Sequence, residues 1–222
     1  MNKAGAIDTL VKTGLVPIVR ASSADEALKI MQAIYEGGVP AIEVTMTVPG
    51  AIRVLEQMAD RLGSRVLLGA GTILDPETAR AAILAGAQFL VSPNLNVKVI
   101  EVARRYSAVS VPAGLTPTEI VAAWESGADF VKVFPCGNVG GASYIRALRG
   151  PLPHIEMIPT GGVNLETTGE FLKAGAAAVG VGTELVDRKA VKDGRYDIIT
   201  ENARKFTAAV AKARSEMGAA RG

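Results

Sequence analysis

Lys132 lies in the run FVKVFP, where flanking Val and Phe residues imply burial. A buried ammonium is unfavourable unless it is paired or gives up its proton, and desolvation lowers its pKa. The neutral amine that results is the nucleophile that Schiff-base chemistry on a carbonyl requires. A plainer alternative is a structural pairing of this lysine with a carboxylate. Which of the two holds depends on what the fold places beside it.

Short apolar runs of strand length alternate with longer amphipathic stretches along the chain, the pattern of repeated βα units. Eight candidate strands follow: Val16–Arg20, Ala41–Thr47, Val66–Thr72, Phe89–Pro93, Val109–Leu115, Phe130–Pro135, Met157–Gly161 and Ala178–Thr183. Segments such as Ser23–Glu36 and Asp75–Ala85 carry apolar residues at helical spacing behind Ser, Asp or Asn caps. Four helix ends share one glycine-to-strand junction: EGGVPAIEV, LAGAQFLVS, ESGADFVKV and KAGAAAVGV. Their glycines, Gly38, Gly86, Gly127 and Gly175, suit the left-handed turn that ends a helix. The fold expected is α/β, a single (β/α)8 TIM barrel over residues 1–222 with a short N-terminal helix. Five residues beyond each junction glycine stand Glu43, Val91, Lys132 and Gly180. In such a barrel, alternate strands contribute the side chains of one interior layer, so an acid and an amine face each other where Gly180 leaves room.

The glycine-rich runs GAGT at 69–72, TGG at 160–162 and GVGT at 180–183 fall at carboxyl-terminal strand ends, the face that holds barrel active sites. Loops after strands 7 and 8 commonly bind phosphate through backbone N–H groups, which selects Gly161, Gly162, Gly182 and Thr183. Arg20 and Thr72 close strands 1 and 3, within reach of a substrate carboxylate, and Pro93 and Phe134 are suited to apolar walls. His154, Trp124 and Cys136 read as packing or loop residues without an assigned role.

Composition narrows the classes. The 24 Lys and Arg against 22 Asp and Glu are scattered rather than striped, which disfavours nucleic acid as a partner. A single cysteine excludes an intrachain disulfide, and a single histidine excludes a histidine-based metal cluster. Neither a signal peptide nor an apolar run of membrane-spanning length stands out, so the expected location is cytoplasmic.

Taken together, VPIVR at 16–20, GGVPAIEVTMT at 37–47, GAGT at 69–72, the SP pair at 92–93, FVKVFP at 130–135, PTGGV at 159–163 and VGVGT at 179–183 resemble the class I 2-keto-3-deoxy-6-phosphogluconate and 4-hydroxy-2-oxoglutarate aldolases. The similarity runs over nearly the whole chain. It implies a lyase of the Entner–Doudoroff type, a homotrimer, with Lys132 as the Schiff-base lysine and Glu43 as general acid and base. It further implies pyruvate contacts from Thr72, Pro93 and Phe134, phosphate contacts around Gly161, Gly162 and Thr183, and no metal or organic cofactor. One departure stands out. Many members carry arginine four residues after the glutamate as an anion anchor, where this sequence has Thr47. Arg20, helped by Thr72, is the expected replacement on the pyruvate carboxylate.

The substrate so implied is a phosphorylated keto acid cleaved to pyruvate and glyceraldehyde 3-phosphate. The alternatives are 4-hydroxy-2-oxoglutarate, the galactonate epimer, and a noncatalytic phosphosugar-binding or assembly-forming barrel.

Overall fold

Alternation along each strand sorts its residues onto two faces. The computed structural model describes residues 1–219 and places nine short parallel strands in them. These are β1 (Leu15–Val19), β2 (Ala41–Thr45), β3 (Leu67–Gly71), β4 (Phe89–Val91), β5 (Val109–Val111), β6 (Ala113–Gly114), β7 (Val131–Val133), β8 (Met157–Pro159) and β9 (Val179–Val181). On one face, Leu15, Ile42, Val44, Leu68, Ala70 and Val131 join the helices in the main apolar core. On the other, Val16, Ala41, Leu67, Phe89, Val109 and Phe130 form a second core. The helix α1 (Lys3–Thr13) closes that inner core from below with Ala6 and Leu10.

Hydrogen bonding joins the strands in two sheets, one ordered β5-β4-β3-β2-β1-β9 and the other β6-β7-β8. A single bridge, Thr160 to Gly180, connects the end of β8 to β9. The eight strands expected from sequence are all found, but the fifth is broken. Pro112 has no N–H to donate, and it marks the point where the chain stops pairing with β4 and its carbonyl accepts from the Lys132 N–H at 2.8 Å. The architecture is an α/β fold with parallel sheet and covering helices.

Between the strands run α2 (Ala24–Glu36), α3 (Ala51–Leu62), α4 (Pro76–Leu84), α5 (Val97–Arg105), α6 (Pro117–Glu125), α7 (Ala142–Arg149), α8 (Leu165–Lys173) and the short α9 (Arg188–Lys192). The four junction glycines behave alike. Gly38, Gly86, Gly127 and Gly175 have φ of 87, 103, 91 and 100°, and each closes the last turn of its helix in the same manner. That shared stop puts the following strands in a common register.

The terminal helix α10 (Tyr196–Ala219) packs on α2 and α8 through Ile199, Ala203, Phe206, Val210 and Ala213. The sequence predicts a terminal helix over Tyr196–Arg214 followed by a frayed tail, SEMGAARG; the helix runs to Ala219, and residues 220–222 of that tail lie outside the described residues.

Candidate active site

The common register brings Glu43, Val91, Lys132 and Gly180 to one enclosed cavity, together with Thr160, Val111 and Ile158. The cavity measures about 10 Å³, room for a single water-sized sphere. Glu43 is 2% exposed and Lys132 6%, yet neither makes a side-chain hydrogen bond or an ion pair within 4.0 Å among the described residues. Both line the same cavity, close enough for each charge to act on the other. Lys132 Nζ also lies 5.1 Å from the centroid of the Phe134 ring, within range of a cation–π contact when protonated.

Glycines carve the space these groups occupy. A Cβ built on Gly71 would stand 1.8 Å from Glu43 Oε1, so the carboxyl group rests directly over the Gly71 backbone. A Cβ on Gly180 would stand 2.4 Å from Thr160 Oγ1. The absent side chains at 71 and 180 are therefore what admit the carboxyl and the Thr160 hydroxyl into the interior.

Burial dominates the electrostatics. It raises the Glu43 carboxyl above its ordinary 4.5, an effect only partly offset by the positive charges of Lys132 and Arg20. It lowers the Lys132 amine below its ordinary 10.5 against the opposing pull of Glu43, and Arg20 lowers it further. Both shifts favour the neutral forms, a free amine beside an undissociated acid. That combination can attack a carbonyl carbon and protonate its oxygen.

Thr160 and Gly180 also line the open mouth above the cavity, a hollow of about 240 Å³ bordered by Arg20, Phe134, Gly161, Gly162, Gly182 and Thr183. The backbone N–H groups of Gly162 and Thr183 find no acceptor among the described residues, as expected of amides kept for an anion, whereas that of Gly161 faces the Gly180 carbonyl in the bridge between β8 and β9. Gly162 has a packing reason for being glycine as well, since a Cβ there would meet the Gly137 Cα at 2.7 Å. Arg20 is exposed at the rim, its Nη1 3.9 Å from where a Gly182 Cβ would be.

Other expected residues lie apart from this mouth. Thr47 is exposed, and its hydroxyl sits 2.6 Å from that of Thr45. Since the Thr45 hydroxyl gives its one proton to the Val19 carbonyl at 3.2 Å, Thr47 is the donor between them. Thr72 and Pro93 follow β3 and β4, half-buried and outside the residues that line the mouth. Thr72 has φ of 59°, unusual for a β-branched residue, a strain of the sort concentrated at functional positions. Trp124 meets the His154 ring edge-on at 6.2 Å, and Cys136 is buried with its thiol pushed up to about 11. Among the described residues, no group of three His, Cys, Asp or Glu side chains could hold a metal ion.

Sequence reasoning missed Thr160 and the carving role of Gly71. Strand alternation contained the signal: Thr160 has the parity of Ile158, and Gly71 that of Gly69, all facing inward.

The family model described as "KDPG and KHG aldolase" matches residues 7–202. This chain belongs to the KDPG and KHG aldolase family. It is 35% identical over 175 residues to the 2-dehydro-3-deoxy-6-phosphogalactonate aldolase of Escherichia coli, covering 78% of this chain and 85% of the relative. It is 30% identical over 193 residues to the 2-dehydro-3-deoxy-phosphogluconate aldolase of Treponema pallidum, covering 87% and 91% respectively. Among solved structures it superimposes on the KDPG aldolase of Legionella pneumophila, in which pyruvate was captured at low pH as a covalent carbinolamine intermediate. That match has a TM-score of 0.82 and 27% identity, over 90% of this chain and 96% of the other. Among the described residues, no helix is long and apolar enough to cross a membrane.

Proposed function

We propose that this chain is a class I aldolase that cleaves 2-keto-3-deoxy-6-phosphogluconate to pyruvate and glyceraldehyde 3-phosphate. The observation that carries this reading is the shared cavity of Lys132 and Glu43, two buried and unpaired groups both driven toward neutrality, beneath an open mouth. Neutral Lys132 attacks C2 of the open-chain keto acid, and Glu43 in its acid form protonates the hydroxyl that leaves as water. The resulting iminium is an electron sink. Glu43, now a carboxylate, takes the C4 hydroxyl proton directly or through water, the C3–C4 bond breaks, and the aldehyde departs. Glu43 returns the proton to C3 of the enamine, and hydrolysis of the imine frees pyruvate and the lysine.

The amides of Gly162 and Thr183 receive the phosphate, with Gly161 and Gly182 admitting it closely. Arg20 is read as a cation for this phosphate end in preference to the pyruvate carboxylate, because it borders the same mouth as those amides while Thr72 and Pro93 do not. Thr72 and Pro93 then flank the pyruvate end, with Phe134 as an apolar wall. Thr47, its proton committed to Thr45, has only acceptor capacity left and is a poor carboxylate partner.

The same reading includes a closed (β/α)8 barrel forming one domain over 1–222, supported by the Thr160–Gly180 bridge and by the unbroken chain from β5 to β6. It also includes a cytoplasmic homotrimer serving the Entner–Doudoroff route, as the family resemblance implies. A second reading, the galactonate epimer as substrate, is favoured by the 35% identity to the E. coli enzyme of that name.

Borohydride with pyruvate is expected to leave a mass increase on Lys132. No adduct under conditions that label a control aldolase would sink the Schiff-base reading. Steady-state cleavage of both C4 epimers then decides between the two substrates.

A further inference from the structure

A side pocket of about 370 Å³ opens behind Arg20. It shares Ile18, Arg20, Gly182 and Thr183 with the mouth, so one hollow continues from the reacting cavity past the glycine loops to α9. Two more cations line it. Arg188 and Lys192 are four residues apart on α9, on one face of that short helix. Like charges at this spacing repel, which is unfavourable unless an anion sits between them.

No carboxylate among the described residues pairs with these cations. Glu26 borders the pocket, but its Oε2 accepts from the Ser22 backbone N–H at 2.6 Å and from the Ser22 hydroxyl at 3.0 Å. Asp187 accepts from the Ala190 N–H at 2.6 Å to cap α9, and Glu184 faces the mouth rather than this pocket. Among the described residues, Arg20, Arg188 and Lys192 make no ion pair and no side-chain hydrogen bond.

We propose that this pocket is an outer anion site for the phosphate monoester of the substrate, in which Arg188 and Lys192 act with Arg20. The inference rests on the reading above, that a phosphorylated keto acid enters by this mouth. Backbone amides offer a phosphate partial charges and shape, whereas flanking cations add charge-assisted hydrogen bonds to its dianion. 2-Keto-3-deoxygluconate, which ends in a neutral hydroxyl at C6, has no anion to give those cations. Discrimination then falls on binding, and the two α9 residues determine specificity without touching the reacting carbons.

Calorimetric titration of the full chain with inorganic phosphate reads this site without turnover. Arg188→Gln/Lys192→Gln is expected to weaken phosphate binding by about tenfold, the scale of losing one hydrogen bond to a charged group. The KM of the phosphorylated keto acid rises by a similar factor, and borohydride trapping of pyruvate on Lys132 persists. Phosphate affinity that is absent from the wild type, or unchanged in the double variant, overturns the site whether or not the protein turns over. An equal rise in KM for unphosphorylated 2-keto-3-deoxygluconate overturns it too. Phosphate binding that depends on these two residues, in a protein that traps no pyruvate, sinks the aldolase reading and leaves the anion site standing.

Discussion

Gly69 and Gly71 lie two residues apart on β3 and face the same interior, yet they make room for opposite kinds of group. A Cβ on Gly69 would stand 2.1 Å from the Phe89 ring, which is fully buried among Leu67, Val109 and Phe130. A Cβ on Gly71 would strike the Glu43 carboxyl instead. One device, the missing side chain, serves cohesion at the lower level and chemistry at the upper. The lower level has no polar group to satisfy. In the upper level, two ionisable groups are held without partners, an arrangement that opposes folding and is retained where function needs it.

The comparison breaks most visibly at Lys132. Lys132→Met is expected to reduce cleavage by about 10⁴-fold or more, since the covalent route disappears. If the upper level holds a neutral amine, removing it strands no charge and thermal stability is kept or raised. A structural ion pair predicts the reverse, a loss of about 3–5 kcal/mol from the carboxylate left alone. Calorimetric Tm beside the steady-state rate separates the two.

Alanine at the two glycines tests the division itself. Gly71→Ala pushes aside the flexible end of Glu43, so a rate loss of about 10²–10⁴-fold is expected with the fold intact. Gly69→Ala meets a ring in a filled core, and overpacking costs about 1–3 kcal/mol while folded molecules keep their kcat. A Gly69→Ala protein that loses turnover at unchanged Tm would mean the two levels are one unit.

Much of this arrangement was legible in the sequence because two periodicities converge in it. The four junction glycines fix where each helix stops, and the period of two then fixes which strand residues face inward, so Glu43, Val91, Lys132 and Gly180 fall together. Strand ends were read too long: the run to Thr47 stops at Thr45 and that to Thr183 at Val181. Apolar and hydroxyl residues continue past the last ladder hydrogen bond, and sequence does not mark where pairing ceases. The sequence puts Arg20 at the end of the first strand, which stops one residue earlier at Val19, and its neighbourhood depends on β1 lying beside β9, a pairing between residues far apart in the chain. Thr160 has the inward parity of Ile158, a signal that the two glycines after it obscure in the sequence.

The smallest expected effects are those of pH, and they test whether the upper level is neutral. With the amine below its ordinary 10.5 and the acid above its ordinary 4.5, the rate follows a bell whose limbs are displaced from those ordinary values, the acid's upward and the amine's downward. Stability carries the same signature. Glu43 is protonated in folded and unfolded chains alike below pH 4.5, so Glu43→Gln gains nothing there. As pH rises from 4.5 through the raised folded value, the unfolded carboxyl ionises first, and the wild type loses stability that the glutamine variant keeps. Melting curves at pH 4 and pH 8 should thus show a variant advantage of a few degrees only at the higher pH. An advantage of the wild type at pH 8 would mean that the carboxylate is stabilised as an ion, and that the interior level above Phe89 is held together by charge after all.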